Sequence, residues 1–365
     1  MNQLSLLIVL ILSCYACQKN TQNPPLSPNV STTTLYFPTT TDWATLTPQS
    51  LGWNTANLQP LYDYLAAQDT RAFIVLKDGK IVLEKYFGKI FNNTAPFALT
   101  SPWYWASAGK TLTSFMVGKA QQEGRLKLSH KTSQYLGIGW TSAPLTKENL
   151  ITVGHQLSMT SGLDDSDDLD NTTPPALRYK ADAGTRWAYH NAPYTLLQTV
   201  VSQAAGQSFT SYFEAKLKNP IGMDGQWIAG DYERVYWSTA RSMARFGLLM
   251  QAKANWNGQP LLDDSTYYQA ALRSSQPLNL SYGYLWWLNG QASYRIPQSQ
   301  LVFGGSITPT APADLVAGVG KGGQLLNIVP SKGLVVVRMG NSINMGLVSL
   351  PLQTKLWEYL TALVN

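Results

Sequence analysis

Two hydrophobic periods divide the chain. Leu58, Leu61, Tyr62 and Leu65 recur at helical spacing, with Pro60 in the first turn, where a missing N–H costs little. Ala72–Leu76 and Lys80–Glu84 are β-rich runs joined by Asp78-Gly79, the pair that a two-residue hairpin turn favours. From about 106 to 275 the pattern is mainly helical, broken at Gly162, Pro174-Pro175, Gly184 and Pro220. Beyond it, Asp314–Val319, Gln324–Val329 and Leu334–Arg338 read as strands, with a turn at Ser331-Lys332-Gly333. A closing helix carries Leu352, Leu356, Trp357 and Leu360 on one face. Strands at both ends with helices between them predict an α/β chain of the α+β kind. One antiparallel sheet is completed by the two chain ends, flanked by helices and interrupted by a mainly helical insertion.

Ahead of this pattern, Leu4–Ser13 is an apolar run as long as a signal-peptide core and too short to span a bilayer. Cys14 and Cys17 follow at once, each after a small residue, which resembles a bacterial lipobox. Residues 18–42, rich in Pro, Ser, Thr and Asn, read as a flexible tether, and 43–365 as the folded domain. The expectation is an exported chain with a 1–17 leader, lipid-anchored to a bacterial envelope membrane. Its domain faces the periplasm or exterior, touches the membrane through the lipid alone and holds no disulfide.

At 365 residues and 44% hydrophobic, the chain can bury a full-sized core. A net charge of +6 comes from scattered Lys and Arg without a basic run, so nucleic acid is not an expected partner. With three histidines and no Cys beyond residue 17, a zinc site lacks its usual ligands, and no metal or cofactor is expected. Asp164–Asp170 lacks the Gly and closing Glu of an EF-hand and reads as a solvated acidic loop. Twelve Trp and nineteen Tyr suit a carved pocket, although Trp286-Trp287 fits packing equally well.

Ser107 is the one serine with Lys three positions later, in Ser107-Ala108-Gly109-Lys110. On a helix those positions share a face, so the Lys110 amine reaches the Ser107 hydroxyl. A serine hydroxyl is a weak nucleophile until a neighbour takes its proton, and a helix N-terminus offers free N–H groups where an oxyanion forms. Tyr189-His190-Asn191 can place a phenol and an amide in one cleft, while Asn191 before Ala192-Pro193 also fits a helix N-cap. Gly318-Val319-Gly320-Lys321-Gly322-Gly323-Gln324 is a glycine-rich strand that lets another backbone approach closely. No Gly-x-Ser-x-Gly is present, which disfavours an α/β-hydrolase, and His155 and His190 lack the surroundings of a Ser-His-Asp triad.

Ser-x-x-Lys, Tyr-x-Asn and a glycine-rich strand, in that order, resemble the serine β-lactamase and penicillin-binding-protein superfamily, in its class C, esterase and 6-aminohexanoate-dimer-hydrolase-like branch. Ile151–Leu163, Tyr282–Trp287 and Gly323–Pro330 are similar to its supporting segments. The resemblance implies acylation of Ser107, with Lys110 and Tyr189 sharing base and acid duties. It also implies an oxyanion hole from the N–H groups of Ser107 and Lys321, substrate contacts at Gly320, Lys321 and Gly322, and Asn191 steering the substrate. Where the family often has Lys-Thr-Gly or His-x-Gly, this chain has Gly318-Val319-Gly320, so a cation for a penicillin carboxylate is missing there and Lys321 is the next one along. The expected substrate is therefore a small amide, ester or peptide, with linear amides and esters ahead of β-lactams. The rival reading is a surface-tethered binding module that keeps the fold without turnover.

Overall fold

The Asp78-Gly79 turn takes positive φ at both residues, 48° and 85°, as a tight hairpin linking right-twisted strands requires. The computed structural model describes residues 34–230, 234–342 and 346–364. The leader, Cys14, Cys17 and most of the expected tether therefore lie outside the described residues. The hairpin joins β1 (Thr70–Lys77) to β2 (Lys80–Tyr86). Two-residue β3 (Trp103–Tyr104) precedes β4 (Gln226–Ala229) and β5 (Arg234–Ser238), and two-residue β6 (Trp287–Leu288) follows. The last three strands are β7 (Val316–Gly320), β8 (Gln324–Val329) and β9 (Leu334–Gly340). The principal sheet has the order β2-β1-β9-β8-β7-β6 and is antiparallel at every pairing. Phe73 sits opposite Arg338 and Ile74 opposite Val337, so the chain ends do complete one sheet.

Of five longer helices, α1 (Leu58–Ala67), α4 (Ala240–Gln251) and α5 (Leu350–Val364) pack against it, while α2 (Lys110–Gln122) and α3 (Asn191–Ala205) pack on each other in the helical insertion. β8 and β9 are buried at every residue, which explains their continuous apolar runs. On one face α4 approaches so closely that a Cβ at Gly247 would lie 2.5 Å from Val335 Cγ1. On the other, Gln353 and Trp357 of α5 donate to Asn327 Oδ1 at 2.8 and 2.9 Å.

Two expectations need correction. The compact unit begins at Leu35 rather than 43. Tyr36 N donates to Asp78 O at 3.0 Å, Phe37 meets Trp256 edge-on, and Arg245 binds the carbonyls of Pro38 and Thr39. The tether's polar composition concealed this arm, whose backbone groups do the binding. The middle region, expected to be mainly helical, also contains β4 and β5, which join β3 in a three-stranded sheet of order β3-β5-β4. Its apolar residues occupy both faces, so the alternation that marks a half-buried strand is absent.

Candidate active site

Ser107 lies in a single 3₁₀ turn, Ala106–Gly109, that runs straight into α2. Ala106 before it is held at φ 46°, a left-handed conformation costly for a residue with a side chain. The surroundings fix it: Trp105 N donates to Tyr236 O at 2.8 Å and the Trp105 indole to Ser238 Oγ at 2.7 Å. The turn presents Ser107 half-buried at the floor of a pocket of about 270 Å³. Lys110 Nζ donates to Ser107 Oγ at 2.9 Å, and Lys110 is 2% exposed. The predicted pair is therefore in contact.

Two phenols surround that amine. Lys110 Nζ is 5.1 Å from the ring centroid of Tyr189 and 4.3 Å from that of Tyr194. Tyr189 is 1% exposed and stacks on Trp287 at 5.8 Å, with Tyr282 edge-on at 6.1 Å. Trp287 thus packs behind the tyrosine, and Trp286 packs on Phe246. Tyr194 lines the pocket itself. It stands three residues after Asn191, so helical spacing from the Tyr-x-Asn motif was the signal that could have found it.

Asn191 is the first residue of α3 and lines the pocket; it is not the N-cap, a position His190 occupies. Its amide donates to Asp170 Oδ1 at 2.7 Å, while its Oδ1 is buried without a hydrogen-bond partner among the described residues. Asp170 comes from the stretch expected to be solvated. Asp165 of the same stretch is buried, paired with Arg186 at 2.6 Å, and Asp164 meets Arg178 and Lys180 at 3.6 and 3.7 Å. That loop is therefore braced at Asp164, Asp165 and Asp170, while Ser166, Asp167 and Asp168 are exposed as expected. His190 points into it, and burial pushes its imidazole down to about 4 against the opposing pull of Asp165 and Asp164. It is neutral at pH 7.

The glycine-rich strand packs directly on the Ser107 turn. A Cβ at Gly320 would lie 2.6 Å from Trp105 O and 3.0 Å from Ala108 N, so only glycine permits this approach. At Gly318 a Cβ would come within 3.1 Å of Thr111 Cγ2 and 3.3 Å of Ala108 O, so a side chain there would have to push its neighbours aside by a few tenths of an ångström. Lys321 follows at the pocket edge, exposed, with its carbonyl held by Gln324 Nε2 at 3.2 Å. Gly322 and Gly323 turn the chain back with φ of 75° and 78°. Arg338, fully buried, clamps them by donating to the Gly322 and Gly323 carbonyls at 2.7 and 2.9 Å. Burial lowers this guanidinium to about 10, so it stays charged at neutral pH. No motif announced Arg338, because in sequence it is the end of an apolar strand.

The remaining pocket wall comes from the three-stranded sheet and its neighbours: Tyr104, Val235, Trp237 and Arg234. Phe91, 64% exposed, stands edge-on to Trp103, Tyr104 and Trp237 at 5.7, 6.5 and 5.4 Å. None of these residues carried a sequence signal.

Comparison with known proteins finds relatives in sequence and in fold. A 172-residue stretch is 27% identical to the D-alanyl-D-alanine-carboxypeptidase/endopeptidase AmpH of Escherichia coli (strain K12), covering 41% of this chain and 43% of that protein. The chain thus spans less than half the length of that relative. Among solved structures, a penicillin-binding protein homologue from Caulobacter crescentus superposes with a TM-score of 0.64 at 16% identity, over 84% of this chain and 96% of that one. A Bacillus anthracis protein provisionally assigned as a 6-aminohexanoate-dimer hydrolase gives 0.63 at 18%, over 84% and 83%. At such identities these two likenesses establish the fold alone. The sequence itself matches the β-lactamase family over residues 65–345, from α1 past the glycine-rich strand. With that span covering the nucleophile turn, the Tyr-x-Asn segment and the closing strands, the chain belongs to the β-lactamase family.

Proposed function

We propose that this chain is a serine hydrolase that cleaves small amides or esters through an acyl-enzyme on Ser107. The observation that carries the reading is the 2.9 Å contact between a buried lysine amine and the serine hydroxyl at the floor of a pocket. Ser107 Oγ attacks the substrate carbonyl carbon, and its proton passes to the Lys110–Tyr189 pair. The tetrahedral oxyanion is received by the N–H groups of Ser107 and Lys321. Collapse expels the amine or alcohol, which takes the proton back, and leaves an ester on Ser107. Water then attacks that ester with the same pair as base, releasing the acid and restoring the serine. Asn191 steers the substrate through its unpartnered Oδ1. Glycine at position 318 supports linear amides and esters over β-lactams, since it offers no cationic side chain there to hold a penicillin carboxylate.

The test pairs a fluorophosphonate probe with a panel of p-nitrophenyl esters, nitrocefin, a D-Ala-D-Ala peptide and aminohexanoate dimer. Labelling confined to Ser107, with turnover of an ester or linear amide exceeding nitrocefin, is expected. An unlabelled protein without turnover would establish the binding module instead. We also propose that Cys14 or Cys17 carries the lipid that anchors the chain to an envelope membrane. A Cys14→Ser/Cys17→Ser double variant should leave the membrane fraction, and continued sedimentation with membranes would refute the anchor.

A further inference from the structure

Tyr194 lines the catalytic pocket, yet the proton transfers among Ser107, Lys110 and Tyr189 leave it without a role. It is 4% exposed, and its ring centroid lies 4.3 Å from Lys110 Nζ, nearer than that of Tyr189 at 5.1 Å. An aromatic face attracts a cation within about 6 Å of its centroid, and more strongly where water is excluded. The local fold explains why this ring stands there. Lys110 opens α2, Asn191 opens α3, both line the pocket, and the two helices pack on each other. Tyr194 follows Asn191 by three positions, so the turn that brings the Asn191 amide into the pocket brings a ring onto the same face. Two segments brace that first turn of α3. From the acidic loop, Leu169 O accepts from Ala192 N at 2.8 Å and Asp170 Oδ1 accepts from the Asn191 amide at 2.7 Å. From the other segment, Gln156 Nε2 donates to Pro193 O at 2.7 Å, while its Oε1 accepts from Thr132 Oγ1 at 2.8 Å. The ring is thus carried on fixed backbone, and close packing limits its freedom to turn away.

We propose that Tyr194 is a positioning residue for the hydrolysis, whose ring face holds the Lys110 amine on Ser107 and in its ammonium form. The inference rests on the acyl-enzyme reading of Ser107 and deepens it. Lys110 is 2% exposed, and burial on its own drives a lysine toward the neutral amine. The two ring faces oppose that drive, with Tyr194 the nearer, because a π face stabilises the charged form and leaves the neutral one unaided. The ring thereby sets the pH at which the Lys110–Tyr189 pair gains and loses its proton. Among the described residues, the other titratable groups on the pocket are Tyr104, Asp170, Arg234 and Lys321, and Tyr282 packs behind Tyr189. Asp170 acts in the same sense as the ring, and the two cations act against it. All five stay in place when position 194 alone is changed, so substitutions there isolate the ring.

The experiment replaces Tyr194 by Phe, by pentafluorophenylalanine and by Leu, and reads kcat/KM for a p-nitrophenyl ester against pH. Phe keeps the ring face, pentafluorophenylalanine keeps the shape while reversing the charge of that face, and Leu removes the ring. Tyr194→Phe should retain activity to within about tenfold, with its pH profile unmoved. The fluorinated ring and Tyr194→Leu should each lose about thirtyfold more. In both, the limb that reports the Lys110–Tyr189 pair should move to lower pH by about one unit or more, because the ammonium has lost its support. Circular dichroism and the melting temperature show whether Tyr194→Leu folds, and the fluorinated ring, close in shape to Phe, decides the matter if it does not. A fluorinated variant whose pH profile matches that of Tyr194→Phe overturns the proposal, whatever its rate. So does a loss in Tyr194→Phe as large as that in Tyr189→Phe, which would give the role to the hydroxyl. Absent labelling of Ser107 and absent turnover in the unsubstituted protein would instead overturn the acyl-enzyme reading, and this inference with it.

Discussion

On one side of Ser107 the pocket is built of backbone, and on the other of side chains. The first wall is the glycine-rich strand, packed so close that a Cβ at Gly320 would lie 2.6 Å from Trp105 O, and clamped at its turn by Arg338. The second is the exposed face of the three-stranded sheet, with Tyr104, Trp237 and an outlying Phe91. Backbone donors held this rigidly suit an oxyanion, whose position is the same for every acyl substrate. Side chains on a small, partly exposed sheet suit the variable part of a substrate. On the proposed mechanism chemistry and selectivity fall on opposite walls, and substitutions on each should have different signatures.

The largest effects belong at the floor between the walls. Lys110→Ala and Tyr189→Phe should each lower acylation by about two to four orders of magnitude, the cost of losing a general acid or base. The double variant should be little worse than the worse single, because groups acting as a unit are non-additive. Losses that multiply would show that the two act independently. Tyr194→Phe keeps the ring that faces the Lys110 amine and should cost under about tenfold. If it matches Tyr189→Phe, the phenol roles are exchanged.

Next comes the backbone wall. Arg338→Met removes the clamp and leaves buried carbonyls of Gly322 and Gly323 unpaired, at a cost of about 4 kcal/mol in stability. Urea unfolding measures it. A loss below about 1 kcal/mol would mean that the turn holds itself.

The acidic loop gives a pH-dependent counterpart. His190 takes up a proton near 6.5 when unfolded and only near 4 when folded, so between those values the unfolded state binds more protons. Stability should therefore fall as pH drops from 6.5 to 4, by up to about 3 kcal/mol, and be unaffected by this group above 6.5. His190→Asn should flatten that limb of the stability–pH curve, and an unchanged limb would assign the acid sensitivity elsewhere.

The side-chain wall should give the smallest effect. Phe91→Ala removes an exposed ring and should raise KM about threefold to tenfold while leaving kcat nearly unchanged, consistent with about 1 kcal/mol for an aromatic contact. A fall in kcat instead would place this wall in the chemistry.

The same division explains what the sequence made legible. Ser107, Lys110 and the close approach of Gly320 were readable because each depends on short spacing or on the missing side chain of glycine, both local properties. Central strands β1, β8 and β9 were readable because burial on both faces writes a continuous apolar run. Trp237 and Phe91 were not, since they meet only through the pairing of β3 with β5, more than a hundred residues apart. Arg338 was hidden by its position in a buried strand, and the arm from Leu35 by backbone bonds that no side-chain pattern reports. Asp170 was misread because its partner, Asn191, lies beyond any local window.

The central claim is a covalent bond to Ser107, and intact-protein mass spectrometry after rapid acid quench of a turnover mixture reads it directly. With a p-nitrophenyl ester the account predicts a mass increase equal to the acyl group, mapped by proteolysis to the peptide containing Ser107 and absent from Ser107→Ala. Hydrolysis that proceeds at full rate in Ser107→Ala, or an adduct that maps to any other residue, would contradict it.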